Sequence, residues 1–216
     1  MEKKKLYIIS GLGADFKVLE KLKFPDSFEV VFLDWLMPEK GEQFQDYVMR
    51  FAEKIDDRKP FCLLGYSFGG LIVQEINKIK RAEKIVILGS IRSEKEKSKF
   101  IKAGELTGLP KYLPVRLFND SSAKVYSMIR KFIDPKNPKL LQYFTVRDPY
   151  YLKWSIEKIT AWKSEETPEV IQILGDRDIV FPISRCRPDF IIKGGTHLFP
   201  ATRSKEVSAI LEKVFK

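Results

Sequence analysis

The sequence Gly65-Tyr66-Ser67-Phe68-Gly69-Gly70 decides the fold of this chain, because it sets a Gly-x-Ser-x-Gly pattern between an apolar run and an amphipathic segment. The run before it, residues 61–64, is short, apolar and preceded by Pro60, which favours a buried strand. The segment after it, residues 71–79, has apolar residues at helical spacing. A strand, a tight glycine turn and a helix in this order are typical of a nucleophile elbow, which exposes a serine hydroxyl at the edge of a sheet.

The residue types of this turn fit that geometry. Side chains at Gly65 and Gly69 would collide with neighbouring backbone, and the serine at the tip adopts a strained conformation. The turn also directs the backbone N–H of Phe68 towards an oxyanion that forms at Ser67. The alternative is an ordinary strand-to-helix turn in which Ser67 caps the following helix. The rest of the chain favours the catalytic interpretation.

The chain contains a single histidine, His197, in a Gly-Gly-Thr-His segment. A lone histidine is usually a surface residue or a hydrogen-bonded core residue. This one follows the apolar run 190–192 and precedes the last amphipathic segment, about residues 202–215. A loop between the final strand and the final helix of an α/β fold opens at the carboxyl edge of the sheet, where the elbow serine also opens. We therefore predict that His197 is functional.

A carboxylate is expected in the turn Gly175-Asp176-Arg177-Asp178, which follows a run of aliphatic residues and is closed by Pro182. An acid at the end of that strand can reach the histidine loop and hold the imidazole in its working tautomer. Asp176 and Asp178 compete for this role. We assign it to Asp178 and expect Asp176 to stabilise the turn by bonding to local backbone. Chain order is then serine, acid, histidine.

On these motifs the sequence resembles a small α/β-hydrolase superfamily member of the carboxylesterase-like, single-cap kind. A fourth match is Ser10-Gly11-Leu12-Gly13 after the first strand. Family members often carry a His-Gly pair there, and the residue after the glycine donates the second oxyanion N–H. The resemblance therefore implies Leu12 as that donor, and it departs from the pattern at Ser10. The implied activity is that of a Ser67–Asp178–His197 triad.

Alternating apolar runs and amphipathic segments predict an α/β fold. Six strands are expected in a mostly parallel open sheet with helices on both faces. The full family sheet has eight strands, and we expect the missing pair at the amino end, since the glycine loop comes almost at once.

The interval of residues 91–162 does not follow this alternation. It is rich in charge and proline, yet it has too many apolar residues for a disordered linker. We interpret it as a helical cap inserted in a core of residues 1–90 and 163–216. Trp35, just beyond a strand, and Tyr66 are candidates for lining a substrate pocket. For most other aromatic residues, packing of the cap on the core is the simpler interpretation.

Composition excludes several protein classes. At 216 residues and 44% hydrophobic, the chain can bury one large core. It has no apolar run near the roughly 20 residues that span a bilayer. The two cysteines show no disulfide framework, which favours a reduced, cytoplasmic protein. No histidine–cysteine cluster has zinc spacing, and the triad chemistry requires neither a metal nor a cofactor.

The leading functional hypothesis is hydrolysis of a small carboxylic ester or thioester. The same triad used for carbon–carbon bond hydrolysis or acyl transfer is the first alternative, and a non-catalytic binding protein is the second.

The positive charge of the chain is unevenly distributed. The net charge is +10, and residues 91–160 alone carry 15 basic and 7 acidic side chains. This excess is either a solvated lysine-rich surface or a field that attracts an anionic substrate, an acidic partner or a membrane surface. No nucleic-acid-binding motif accompanies it, and the sequence leaves the oligomeric state open.

Overall fold

The computed structural model describes residues 3–118, 140–167 and 169–216, with Leu140 and Leu141 described by their backbone alone. Six strands are present in these ranges: β1 (Lys4–Ile9), β2 (Phe28–Phe32), β3 (Phe61–Tyr66), β4 (Lys84–Leu88), β5 (Val170–Gly175) and β6 (Phe190–Ile192). The α-helices described are α1 (Phe44–Ala52), α2 (Phe68–Ile79), α3 (Lys99–Thr107), α4 (Leu109–Tyr112), α5 (Pro149–Ala161), α6 (Phe199–Thr202) and α7 (Ser204–Phe215).

The strands form one sheet in the order β2-β1-β3-β4-β5-β6. Every pairing in it is parallel. All carboxyl ends of the strands therefore meet at one edge, and the connections must cross over the faces of the sheet. The predicted α/β class with six strands is confirmed.

Successive side chains of each strand point to opposite faces of the sheet, and both faces of this sheet are apolar. Tyr7 and Ile9 of β1 belong to a cluster that contains the buried residues of α1 and α2. Leu6 and Ile8 of the same strand belong to a second cluster, which includes the buried side of α7. Helices therefore cover both faces, as the sequence predicted, and the sheet is the rigid platform on which its edge loops are built.

A long insertion separates β4 from β5. It contains α3, α4 and α5, together with 3-10 turns at Val115–Phe118 and Leu140–Tyr143. Trp154 in α5 and Trp162 at its carboxyl end are each 4% exposed and belong to the core cluster beneath α1 and α2. The predicted insertion, residues 91–162, includes residues 119–139, which lie outside the described ranges. We call residues 91–162 the insertion below.

The last helix, predicted over about residues 202–215, is confirmed as α7. A short additional helix, α6, precedes it and is separated from it at Arg203, whose φ of −126° and ψ of 32° are not helical. Pro200 lies in the first turn of α6, a position where the missing N–H has no intrahelical partner to lose. In the described part of the chain, no helix has the length and the apolar content to cross a membrane.

Candidate active site

Ser67 occupies the sharp turn between β3 and α2. Its φ of 51° and ψ of −116° make it the only non-glycine residue with positive φ among those that the structure describes. The Ser67 N–H donates to the carbonyl of Leu88 at 2.9 Å, and the side chain makes no capping hydrogen bond to α2. The capping alternative therefore finds no support in the structure. A strained backbone of this kind persists only where its surroundings hold it.

The glycines of the turn are required by close approach of backbone. A Cβ at Gly65 would lie 2.4 Å from the carbonyl oxygen of Gly69, and a Cβ at Gly69 would lie 2.3 Å from that of Ile9. The N–H of Gly69 donates to the carbonyl of Ser10 at 3.1 Å. The elbow is thus pressed directly against the loop that follows β1, which brings the two loops to one place.

The structure brings together the three side chains that the sequence analysis selected. His197 Nε2 lies 2.9 Å from Ser67 Oγ, and His197 Nδ1 lies 2.7 Å from Asp178 Oδ2. Asp178 and His197 are each 3% exposed, while Ser67 is partly exposed. A carboxylate at Nδ1 holds the proton there, so Nε2 is left to accept the serine hydroxyl proton.

The two aspartates of the β5 turn have separate contacts. Asp178 Oδ1 accepts the N–H groups of Val180 and Phe181 at 2.8 and 3.0 Å, which orients its other oxygen towards His197. Asp176 Oδ1 accepts the N–H of Gly194 at 2.7 Å. Asp176 therefore stabilises a turn, but the bond reaches the loop after β6 rather than the backbone of its own turn.

The histidine loop is supported from beneath by Tyr66. Its hydroxyl donates to the carbonyl of His197 at 3.0 Å, and its ring lies 5.5 Å from the imidazole, centroid to centroid. Tyr66 is 2% exposed, and burial raises the pKa of its hydroxyl well above the usual value. Tyr66 therefore lies in the interior, and its lining of a substrate pocket stays a prediction. It is a fully buried support of the loop.

The loops beside Ser67 contain backbone N–H groups that have no acceptor among the described residues. In the loop after β1, the N–H groups of Gly13, Ala14 and Asp15 all have acceptors. Within the described ranges, the N–H groups of Leu12 and Phe68 have none. The sequence analysis expects these two groups to bind an oxyanion, and that role stays a prediction. Ser10, where histidine is common in the resembled family, donates its hydroxyl to the carbonyl of Asp15 at 2.9 Å and so braces the same loop.

Aromatic rings fix the residue after the serine. Trp35 stacks on Phe68 with centroids 5.5 Å apart and an interplanar angle of 10°, and Phe44 also stacks on Phe68, with centroids 5.9 Å apart and an angle of 22°. Trp35 is half-buried, and its Nε1 donates to the carbonyl of Ala14 at 2.8 Å. Trp35 thus lies between the elbow and the loop after β1, and its lining of a substrate pocket stays a prediction.

One residue at this site was not selected from the sequence. Tyr151 of α5 places its hydroxyl 3.4 Å from the N–H of Gly13. Nothing in the sequence signals a contact between residues 138 positions apart. In the described part of the chain, no group of three or more histidine, cysteine, aspartate or glutamate side chains is arranged to hold a metal ion, and the absence of a cofactor stays a prediction.

Comparison with known proteins identifies the fold. No protein-family model matches the chain, and no curated protein matches its sequence. Solved structures do match over nearly the whole length. A thermophilic esterase from Thermogutta terrifontis superposes with a TM-score of 0.71 at 12% identity, covering 99% of this chain and 90% of the esterase.

Two further structures extend the comparison. A lipase-esterase related protein from Clostridium acetobutylicum has a TM-score of 0.68 at 18% identity, with 100% of this chain and 95% of that one covered. MenH from S. aureus has a TM-score of 0.68 at 14% identity, with 98% and 92% covered. At such identities the likeness shows the fold. The chain has the α/β-hydrolase fold, as its motifs predicted.

Proposed function

We propose that this protein is a serine hydrolase that cleaves a small carboxylic ester or thioester through an acyl-enzyme intermediate. The observation that carries the proposal is the chain of hydrogen-bonding contacts Ser67 Oγ–His197–Asp178, with distances of 2.9 and 2.7 Å. It lies on an elbow whose serine has the strained backbone of an exposed nucleophile. A buried histidine and aspartate in this arrangement are the parts that acyl transfer requires.

The reaction follows from the contacts. Ser67 Oγ attacks the carbonyl carbon while His197 Nε2 takes its proton, and Asp178 stabilises the imidazolium. Collapse of the tetrahedral intermediate breaks the bond to the leaving alcohol or thiol, which receives the proton from Nε2. Water then attacks the acyl-enzyme with His197 again as the base, and the acid is released.

The developing oxyanion would accept hydrogen bonds from Leu12 and Phe68. Both N–H groups belong to backbone that is held before substrate arrives. Stacked rings hold Phe68, and the hydrogen bond from the Ala14 N–H to the Gly11 carbonyl holds the loop that contains Leu12. Donors that are pre-positioned in this way need no reorganisation during the reaction, and each is typically worth about 3 kcal/mol in the transition state.

We further propose that the insertion acts as a cap that selects the acyl and leaving groups. It returns to the core at the loop after β1, where Ala14 and Phe144 form an antiparallel bridge. The positive charge concentrated in this part of the sequence favours an anionic substrate through electrostatic attraction. The fold alone carries no such specificity, because one fold hosts many reactions.

A fluorophosphonate probe tests the nucleophile. The native protein should be labelled once, and Ser67→Ala should lose both labelling and ester turnover while its circular dichroism spectrum is unchanged. Ser93→Ala, a buried serine outside the proposed site, is the control and should label normally. Labelling that persists in Ser67→Ala would exclude Ser67 as the nucleophile.

The substrate class is tested with p-nitrophenyl esters and thioesters of graded chain length. Product analysis separates hydrolysis from the alternatives, because carbon–carbon cleavage or transfer to an acceptor other than water leaves different products. A protein that binds these compounds without turnover or covalent labelling would be a binding protein on the same fold.

A further inference from the structure

The insertion holds both backbone groups of Gly13. The Gly13 N–H donates to the Tyr151 hydroxyl at 3.4 Å, and the Gly13 carbonyl accepts the N–H of Val146 at 3.0 Å. Gly13 has a φ of +71°, and a Cβ at this position would lie 3.3 Å from both the Phe144 ring and the Val146 carbonyl oxygen. Gly13, which follows Leu12, is therefore held in place by contacts with the insertion.

The contact continues along the loop after β1. The Asp15 N–H donates to the carbonyl of Tyr143 at 3.3 Å, and the Thr145 hydroxyl donates to Asp15 Oδ2 at 3.0 Å. Leu12 itself packs against the cluster of Phe118, Tyr151 and Leu152. Residues 143–146 of the insertion thus form one wall of this loop, and we call them the returning segment.

Tyr151 has the properties of a fixed acceptor. Its side chain is 0% exposed, and its ring packs 5.4 Å from that of Trp35. Burial raises the pKa of the Tyr151 hydroxyl well above its usual value. A buried N–H without an acceptor is costly, and without this hydroxyl the Gly13 N–H would lose the partner that it has in the structure.

We infer that Tyr151 is a positioning residue, which together with the returning segment holds the Leu12 N–H where it can bind the oxyanion. This inference rests on the proposed function, since it assigns Leu12 its donor role. It makes the insertion part of the catalytic framework: displacement of the returning segment releases the loop after β1 and removes one oxyanion donor from its place.

The test compares Tyr151→Phe with Tyr150→Phe. Tyr150 is the adjacent residue of α5, and its hydroxyl also bonds core backbone, accepting the Gly41 N–H at 3.2 Å and donating to the Glu39 carbonyl at 3.1 Å. Both changes delete one oxygen from the same helix. Tyr151→Phe should lower kcat on a p-nitrophenyl ester about tenfold with little change in KM, because a small misplacement of a donor weakens transition-state binding alone. Tyr150→Phe should leave both constants unchanged.

Backbone amide hydrogen exchange supplies a readout that does not depend on turnover. The Gly13 amide should exchange faster in Tyr151→Phe than in the native protein, and at the native rate in Tyr150→Phe. Thermal unfolding of both variants shows how much of any activity loss follows from instability.

The inference is overturned if the two variants have equal kcat, or if the kcat loss in Tyr151→Phe is matched by a smaller folded fraction. With a native enzyme that labels at Ser67 and turns over esters, either result removes this inference and leaves the proposed function standing. A native protein that neither labels nor turns over ester overturns the proposed function and the catalytic role of Tyr151 with it, whereas Gly13 exchange still reports whether Tyr151 holds the loop.

Discussion

At the residue scale, the site depends on one backbone conformation and one hydrogen-bonded chain. Ser67 has a positive φ of 51°, which an L residue adopts only when neighbouring contacts hold it. Its N–H is fixed by Leu88, and the glycine after Phe68 is fixed by Ser10. His197 completes the arrangement with a carboxylate at one nitrogen and a hydroxyl at the other.

The two aspartates of the β5 turn allow a matched pair of substitutions. Asp178→Asn should lower kcat/KM by about four orders of magnitude, because an amide at His197 Nδ1 favours the wrong tautomer. Asp176→Asn should have little effect, since an amide oxygen can still accept the Gly194 N–H. Steady-state kinetics on one ester, with circular dichroism of each variant, provides the measurement. The reverse ranking would move the acid to Asp176.

At the element scale, short connections position the site more than the helices do. The turn after β5 is joined to the histidine loop by the bond from the Arg177 N–H to the Gly195 carbonyl at 2.9 Å. A Cβ at Gly175 would lie 2.1 Å from that same carbonyl oxygen. The 3-10 helix Glu94–Glu96 after β4 is also joined to a neighbouring strand by hydrogen bonds. Glu96 Oε2 accepts the Arg92 N–H at 2.7 Å and an N–H of Gln172 Nε2, in β5, at 2.9 Å.

Glu96 predicts a pH dependence of stability. Burial raises the pKa of its carboxyl, although hydrogen bonds from Arg92 and Gln172 oppose the shift. The folded protein therefore binds this proton more tightly than the unfolded chain. The resulting stabilisation is complete below the unfolded-state pKa and is lost as the pH rises through the folded-state pKa. Glu96→Gln, which stays neutral, should gain stability relative to the native protein as the pH rises.

Urea unfolding at several pH values from about 4 to 8 measures this difference. Glu94→Gln, in the same 3-10 helix and less buried, is the control. The raised pKa of Glu96 would be contradicted if the difference in unfolding free energy between the native protein and Glu96→Gln were constant with pH.

At the scale of the whole molecule, parallel strands bring the loops after β1, β3, β5 and β6 to one edge of the sheet. The insertion leaves the sheet after β4 and returns to that edge at the loop after β1. Much of the net positive charge of the sequence lies in the insertion. An effect of this charge on ligands that approach the proposed site stays a prediction.

Substrate steering is tested by salt. If the field of the insertion attracts anions, kcat/KM for a carboxylated ester should fall as salt is raised, while its neutral analogue stays constant, because the Debye length shortens to about 10 Å at 0.1 M. The same pair of substrates at fixed pH and increasing NaCl makes the comparison. Parallel salt curves would assign the charge to the solvated surface.

How much the sequence predicts depends on how local the cause is. The elbow is readable because its glycines, its strand and its helix lie within about twenty residues, and the backbone geometry of Ser67 demands those residue types at that spacing. The alternation of apolar runs with amphipathic segments predicts the α/β class for the same reason, since each pattern involves only neighbouring residues. The single histidine of the sequence makes His197 the one candidate base among histidines.

Contacts between residues that are far apart in the sequence cannot be predicted in this way, because they depend on how the elements pack. The contact of Tyr66, at the end of β3, with the His197 carbonyl depends on how the sheet brings distant strand ends together, and the bond from Gly194 N–H to Asp176 depends on how close the β5 and β6 ends lie. The sequence predicted that Asp176 bonds the backbone of its own turn, because the local pattern does not contain its distant partner Gly194.

The sequence by itself determined the fold class, because strand and helix periodicity and the tight glycine turn are properties of neighbouring residues, and it supplied the three candidate side chains of the proposed triad. Only the tertiary structure decided that the returning segment walls the loop after β1 and that Tyr151 bonds Gly13. These contacts join residues more than a hundred positions apart. Their formation depends on the order of strands in the sheet and on the packing of α5 against the core, which no local pattern specifies.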